Sequence, residues 1–309
     1  LPAVNHCKGV RKRSIVTATG PSGRSTAEKF GFAGCSTDPE TVFGDPDVHL
    51  VFIATQHDSH APLAEAALRA GKAVWLEKPA ALDETQLRSL AGAAMETGGF
   101  LTIGYNRRFS PHARAVRDAF SNRLGPMSIQ YTVAAGATPG GTWHTDPNVG
   151  GGRIIGEGCH FIDLCCHFVG RPPTSVFARA LGRDPETEDS TVVMLGFDDG
   201  STATIAYLAN ASSELPKERF EVSAEGRTAI CENFRTTRIL AGATTKTMNQ
   251  DKGQAAAVQQ TIEAVRSGRP SPIPLAEIVA VSRASFAVAA SIRTQQAIAI
   301  PRSLDPSSD

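Results

Sequence analysis

The sequence predicts an α/β unit on a parallel sheet followed by an α+β unit with a mostly antiparallel sheet. Three observations predict this. Over the first hundred residues, short β-rich runs alternate with amphipathic helical stretches, the rhythm of βαβ units. From about Met127 the runs instead follow one another across tight-turn signals such as Asp198-Asp199-Gly200 and Ala224-Glu225-Gly226. A length of 309 residues suits about two domains of roughly 150 residues each. The divisions expected are 1–108, 109–300 and a disordered tail at 301–309.

Residues 1–9 have the character of the end of a helix. Residues 14–19 read as a buried strand ending at Gly20-Pro21, and 25–30 as a helix stopped by Gly31. Asp38-Pro39 places a capping carboxylate before a short helix. The run 48–55 is the strongest strand, 61–70 an amphipathic helix ended by Gly71, and 73–77 the next strand. Asp83 caps a helix to about Thr97, and 100–105 is a strand again. In the second unit, 127–134, 175–180, 190–197, 201–207, 219–224 and 228–231 are strand-like. A helix is expected over 154–169, and two closing helices over 254–267 and 275–296.

Composition narrows the function classes. Thirty-one basic residues balance thirty-one acidic ones, so no positive field favours nucleic acid or an anionic membrane. No run reaches the roughly 20 uninterrupted apolar residues of a membrane span. The six cysteines form no CxxC pair and read as buried thiols of a reducing compartment, which makes a cytoplasmic location the expectation. Residues 1–4 lack the charged start and long apolar run of a signal peptide. The chain opens on Leu1; a fragment, a processed product and an unusual start all fit that.

Three motifs carry a resemblance. The first is Val51-Phe52-Ile53-Ala54-Thr55 with His57 and His60, then Ala66-Ala67-Leu68-Arg69-Ala70-Gly71-Lys72. The second is Glu77-Lys78-Pro79 directly after a strand. The third is Gly150-Gly151-Gly152, then Gly158, His160 and Asp163. In this order, with Gly104 to Phe109 between the two units, they resemble the Gfo/Idh/MocA oxidoreductases over nearly the whole chain. The resemblance implies a Rossmann-like domain binding NAD or NADP. It also implies an open-faced C-terminal sheet that closes over a sugar-like small molecule, and a homo-oligomer formed through that sheet. The implied reaction moves hydride between a secondary alcohol and the nicotinamide.

The candidate catalytic residues are Lys78 and His160. Lys78 follows a parallel strand, where ligands of open α/β sheets bind, and an amine there can exchange a proton with a substrate hydroxyl. His160 falls near a helix start, whose positive end favours the neutral imidazole. Asp163, three residues on, shares its face and is expected to orient it. Cofactor contacts are expected from Thr19, Thr55, His57, His60, Glu77, Lys78 and Arg107. Substrate contacts are expected from Glu157, Asp163, Trp143 and His144, with Arg107 and Arg108 also open to simple ion pairing. A cis bond before Pro79 is compatible with its position. No metal is expected: His160, Asp163 and His167 share a helical face, but the outer two stand about 10 Å apart by helix rise and converge poorly.

Two departures from the family pattern stand out. Many members carry an aspartate four residues before the histidine; this chain has Gly156 there, with Glu157 beside it on a different radial direction. Nothing before Ile15 supplies the strand and G-x-G-x-x-G turn that cradle a pyrophosphate. The expectation is an N-terminally incomplete copy of a longer protein, with a gap between the neighbours of the lost strand. The alternative is that the remaining strands close up. Either way cofactor affinity is in doubt. Thr19, Ser22 and Arg24 at the end of the second strand lean toward NADP. Two other functions stay open: glycoside cleavage by oxidation and elimination on NAD, and a non-catalytic sensing or scaffold role.

Overall fold

The structure, a computed structural model, describes residues 2–5, 7–137, 142–182 and 190–301. Apart from Pro301, the tail expected at 301–309 lies outside them. The N-terminal unit begins with the short helix α1 (Pro2–Asn5) and then alternates β1 (Ser14–Val16), α2 (Gly20–Phe30), β2 (Gly34–Ser36), α3 (Glu40–Phe43), β3 (Leu50–Ile53), α4 (His60–Arg69), β4 (Ala73–Leu76), α5 (Glu84–Thr97) and β5 (Leu101–Ile103). All the strand pairings are parallel. Val74, Leu76 and Ile103 are fully buried, as expected for strands covered on both faces. Local chemistry sets the helix ends. Asp83 accepts from the Gln86 amide, the Asp38 carboxylate accepts from the Glu40 amide at the start of α3, and α2 ends on Gly31 in the left-handed region.

The parallel strands form two sheets rather than one: β1–β2, and β3–β4–β5. Among the described residues no strand joins β1 to β3, so the expected gap is present and the strands have not closed across it. Apolar side chains such as Ile15, Val51 and Ile262 border the opening.

The second unit begins with α6 (Pro111–Ala119), which the hydrophobic pattern had not marked. Its start is capped by Ser110, which accepts from the His112 amide. The sheet strands are β6 (Ser128–Ala134), β7 (Pro173–Ala180), β8 (Thr191–Phe197), β9 (Thr202–Leu208), β10 (Glu218–Ala224), β11 (Arg227–Glu232), β12 (Thr236–Ile239), β13 (Thr244–Lys246) and β14 (Ile298–Ala299), in the order β13-β12-β11-β10-β6-β9-β8-β7-β14. Among the described residues of this sheet, only β6 and β9 pair in parallel. Strict alternation turns Ile129, Tyr131 and Val133 inward on β6, while Val192 and Met194 of β8 stay exposed on the other face. The inner face is covered by α7 (Cys159–Val169) and α9 (Leu275–Thr294); α8 (Gln254–Arg266) lies against α1 and the 106–109 turn.

Helix α9 is long and apolar enough to cross a membrane by length and composition, though Glu277, Arg283 and Arg293 interrupt it and over half of its apolar window is buried inside the protein. Its Arg283 is bound to Glu84 of α5 at 2.7 Å, and it packs on β7, α7 and α5. These contacts are those of a core helix.

Candidate functional site

The site forms where the tips of β3, β4 and β5 meet the segment that leads into α7. A cleft of about 2130 Å³ opens there and continues down the gap between β1 and β3. It exceeds the roughly 300–1,000 Å³ of an ordinary small-ligand pocket.

Gly104 lets the strand tips converge. Glu77 follows β4 and its amide donates to the Ile53 carbonyl at 2.8 Å. Its carboxylate lies across the next strand tip, where a Cβ on Gly104 would stand 2.7 Å from Glu77 Oε2. Lys78 comes next, joined to Pro79 by a cis peptide. The Lys78 ammonium donates to the Gly156 carbonyl at 2.9 Å and borders the cleft.

The opposite wall is the 150–160 segment. Its triple glycine was expected to let backbone approach a ligand; the close approach is instead to the chain itself. A Cβ on Gly150 would stand 2.5 Å from the Trp143 and His144 carbonyl oxygens, and Gly151 and Gly152 have φ of +71° and +73°. The helix expected over 154–169 divides into a π turn (Ile154–Gly158) and α7. His160 therefore sits inside a continuous helical segment, not at its positive end. Burial is what depresses its basicity, helped by the Arg107, Lys78 and Lys252 cations around it. The outcome is still the neutral ring that was expected, for a different reason. His160 borders the cleft and meets the Tyr105 ring edge-on, centroids 6.2 Å apart. Its Nδ1 is buried with no hydrogen-bond partner among the described residues.

Asp163 does not orient His160. It is buried and held by Arg108, whose guanidinium also binds Glu277 at 2.6 Å. Three helical positions place Asp163 beyond the histidine and toward α9. Arg107, expected at the cofactor, does border the cleft, but its fork is taken by Glu218 at 2.8 and 2.9 Å. Glu218 also receives the Tyr131 hydroxyl and the Lys252 ammonium, both at 2.6 Å. Burial pushes the Glu218 carboxyl up, but Arg107 and Lys252 outweigh it and bring it down to about 2.

The remaining candidates divide. Thr55 and His57 border the cleft after β3. His60 is buried away from it, with Nδ1 2.9 Å from the Pro79 carbonyl oxygen and Nε2 3.2 Å from the Thr55 carbonyl oxygen; the neutral ring donates to one of the two, and both nitrogens face backbone rather than the cleft. Thr19 is an exposed residue ahead of α2, its hydroxyl paired with Ser22, and does not border the cleft. Trp143 stacks on His144, ring centroids 3.6 Å apart, and only His144 of the two reaches the cleft. Glu157 borders it and accepts from the Tyr207 hydroxyl at 2.6 Å. Burial raises the Glu157 carboxyl, but Tyr207 and the Lys217, Arg153 and Lys78 cations hold it below the ordinary range.

Sequence reading missed Lys252, Glu218, Tyr207 and Arg153. Inward alternation on β9, where Ala203, Ile205 and Tyr207 are buried, was a usable signal for Tyr207. Lys252 had none, because its loop reaches the cleft only through the packing of α8.

These residues fit a nicotinamide cofactor at one end only. The strand tips provide the carboxyl-end crevice, with Thr55, Glu77, Lys78 and Asn106 around it. At the pyrophosphate end the described residues supply no glycine-rich turn: Gly20 to Gly23, the one helix start that follows β1, does not border the cleft.

Comparison with known proteins agrees with this architecture. Residues 1–105 match the family model described as "Oxidoreductase family, NAD-binding Rossmann fold", and residues 121–230 match "GFO/IDH/MocA C-terminal domain". An inositol 2-dehydrogenase of Rhizobium meliloti (strain 1021) is 30% identical over 218 residues, 68% of this chain and 65% of the relative. A levoglucosan dehydrogenase of Pseudarthrobacter phenanthrenivorans is 24% identical, covering 68% of this chain and 62% of its own length. The matched region thus spans slightly less than two thirds of these relatives. In fold, the chain is similar to a levoglucosan dehydrogenase solved with NADH and levoglucosan, with TM-score 0.82 and 20% identity over 94% of this chain and 90% of that one. It is also similar to an oxidoreductase domain protein from Kribbella flavida, with TM-score 0.80 and 22% identity over 94% and 90%.

Proposed function

Since the chain belongs to the Gfo/Idh/MocA oxidoreductase family, we propose that it moves hydride between a nicotinamide cofactor and a secondary alcohol of a sugar, sugar nucleotide or cyclitol. The observation that carries the reading is that Lys78, at a strand tip of one unit, and His160, on the first turn of α7 in the other, border the same cleft. The bound nicotinamide supplies the hydride acceptor or donor; Thr55, Glu77, Lys78 and Asn106 are the residues placed to hold that end of it.

The rest of the chemistry falls to side chains. Lys78, anchored on the Gly156 carbonyl, exchanges the proton of the reacting hydroxyl. His160 is neutral and offers a ring nitrogen to the same or a neighbouring oxygen. Tyr105 behind it fixes the ring, and the buried Arg107–Glu218–Lys252 cluster stiffens the wall between the two units. Similarity to inositol and levoglucosan dehydrogenases supports a cyclic polyol or anhydrosugar as substrate.

The test is reduction of NAD and of NADP by a panel of cyclitols and sugars, read by absorbance of the reduced nicotinamide. Turnover that disappears with Lys78→Ala supports the reading. A panel with no turnover in either direction, and no saturable NADH or NADPH fluorescence change, would count against it and favour a non-catalytic role.

A further inference from the structure

His57 was expected among the cofactor contacts, yet the groups that fix it belong to the substrate side. Its ring is buried in the single helical turn that follows β3. Nδ1 lies 2.8 Å from the Gly150 carbonyl oxygen. A carbonyl only accepts, so Nδ1 carries the proton of the neutral ring and Nε2 keeps a bare lone pair. Among the described residues Nε2 makes no hydrogen bond, and the residue borders the cleft.

The ring takes up the space above Gly156. A Cβ on Gly156 would stand 3.0 Å from His57 Cε1 and 3.4 Å from Nδ1. A side chain at 156 would therefore press on the ring and on the Gly150 carbonyl oxygen, 3.3 Å away, each of which would have to give by a few tenths of an ångström. Gly156 is also the residue whose carbonyl holds the Lys78 ammonium, so imidazole and ammonium stand around one glycine. The ring meets Trp143 edge-on, centroids 4.8 Å apart, and the neighbouring His60 at a tilt, centroids 5.3 Å apart. Burial first, then the Lys78, His60 and His144 charges, bring the His57 pKa down to about 4 against the opposing Gly150 bond. At neutral pH the ring is thus an acceptor.

We propose that His57 is a substrate-positioning residue, its Nε2 accepting a hydrogen bond from the hydroxyl next to the one that Lys78 serves. The inference rests on the dehydrogenase reading given above and specifies its substrate: a ring bearing two adjacent hydroxyls. The reacting hydroxyl gives its one proton to Lys78, and Nε2 of this tautomer, an acceptor and no donor, needs the proton of a second hydroxyl. A vicinal diol satisfies both. A single alcohol leaves Nε2 buried and unpaired, and sites built this way discriminate strongly against the analogue that lacks the hydroxyl.

The test compares cis-1,2-cyclohexanediol with cyclohexanol in the full chain, by kcat/KM and by calorimetric binding. The wild type should prefer the diol by about 10- to 100-fold, the range of one buried unpaired group. His57→Leu should abolish the preference, mainly through KM, with NADH binding unchanged. His57→Asn, which restores an acceptor, should recover part of it. The double variant His57→Ala with Gly156→Asp, which returns an acceptor to that side of the cleft, should recover it while His57→Ala alone does not. Long-range nitrogen–proton NMR should report the Nδ1–H tautomer of His57 and move the Nε2 signal when the diol is added. An Nε2–H tautomer overturns the proposal whatever the kinetics show. An undiminished preference in both His57→Leu and His57→Asn overturns it and leaves the dehydrogenase reading standing. A wild type that neither binds nor oxidises either alcohol or any other polyol overturns both.

Discussion

The Lys78 ammonium donates to the Gly156 carbonyl at 2.9 Å, across 78 residues of sequence and between the two structural units. The carbonyl belongs to a π turn, where the shift from α-type pairing re-aims backbone groups. One hydrogen bond therefore fixes where the ammonium stands relative to the wall that carries His160.

Removing that ammonium should abolish chemistry and leave the fold intact. Lys78→Ala is expected to lower kcat by about 10²–10⁴, the usual contribution of a positioned proton-transfer group. Lys78→Arg should not rescue it, because a guanidinium stays protonated and cannot take up a proton. Unchanged circular dichroism together with lost turnover is the expected pair of results; retained turnover would remove Lys78 from the reaction.

Replacing Glu218 should be costly to stability. Its carboxylate is the shared partner of Arg107, Lys252 and the Tyr131 hydroxyl, and it is buried. Glu218→Ala leaves the Arg107 charge buried without its partner, which costs about 3–5 kcal/mol. A urea midpoint within error of wild type would show that water or Glu157 takes over.

Gly253→Ala should loosen α8 from the cleft wall. Gly253 has φ +83°, and a Cβ there would stand 2.4 Å from the Ser110 amide nitrogen and 2.5 Å from the Asn106 carbonyl oxygen. Both are backbone atoms, so no side chain can swing aside. The left-handed conformation alone costs a non-glycine residue about 1–3 kcal/mol, and the overlap adds to it. Thermal unfolding and hydrogen exchange along 254–266 are the measurements; unchanged protection there would contradict the packing.

Acidification should destabilise the chain well above the range of ordinary carboxylates. Burial foremost brings His57 down to about 4 and His167 down to about 3, and depresses His60, His112 and His160 as well. The unfolded chain binds these protons near pH 6.5, so below about that value it holds more protons than the folded one and stability falls as pH drops toward the folded values. Asp163, which burial raises to about 6 against the Arg108 charge, works in the opposite sense between about pH 4 and 6 and offsets part of the loss. The urea midpoint should be lower at pH 5 than at pH 7, and His57→Gln should flatten the slope. A pH-independent midpoint in the wild type would refute the buried neutral histidines.

The elements were largely legible because their signals are local. The strands over 48–55 and 73–77 appeared as β3 and β4 (Leu50–Ile53 and Ala73–Leu76), trimmed by no more than two residues at any end. The Asp83 cap and the Gly31 stop behaved as capping chemistry requires. Strands β2, β12, β13 and β14 were missed because two to four residues carry too little alternation to read. The break in the helix over 154–169 was missed for another reason: the side chains that bind its π turn, Lys78 on a carbonyl and Tyr207 on a carboxylate, come from far along the chain.

What the sequence settled by itself was the order of elements, the change from parallel to mostly antiparallel sheet, and the motifs that name the family, since periodicity, caps and glycine spacing act within a few residues. What only the tertiary structure decided was the company each side chain keeps. Asp163 went to Arg108, Arg107 to Glu218, and His60 to two backbone carbonyls. His57 came to stand over a glycine nearly a hundred positions away with its Nδ1 proton committed to Gly150. Most buried polar groups take a partner, and which partner is within reach depends on packing between units that no local pattern encodes.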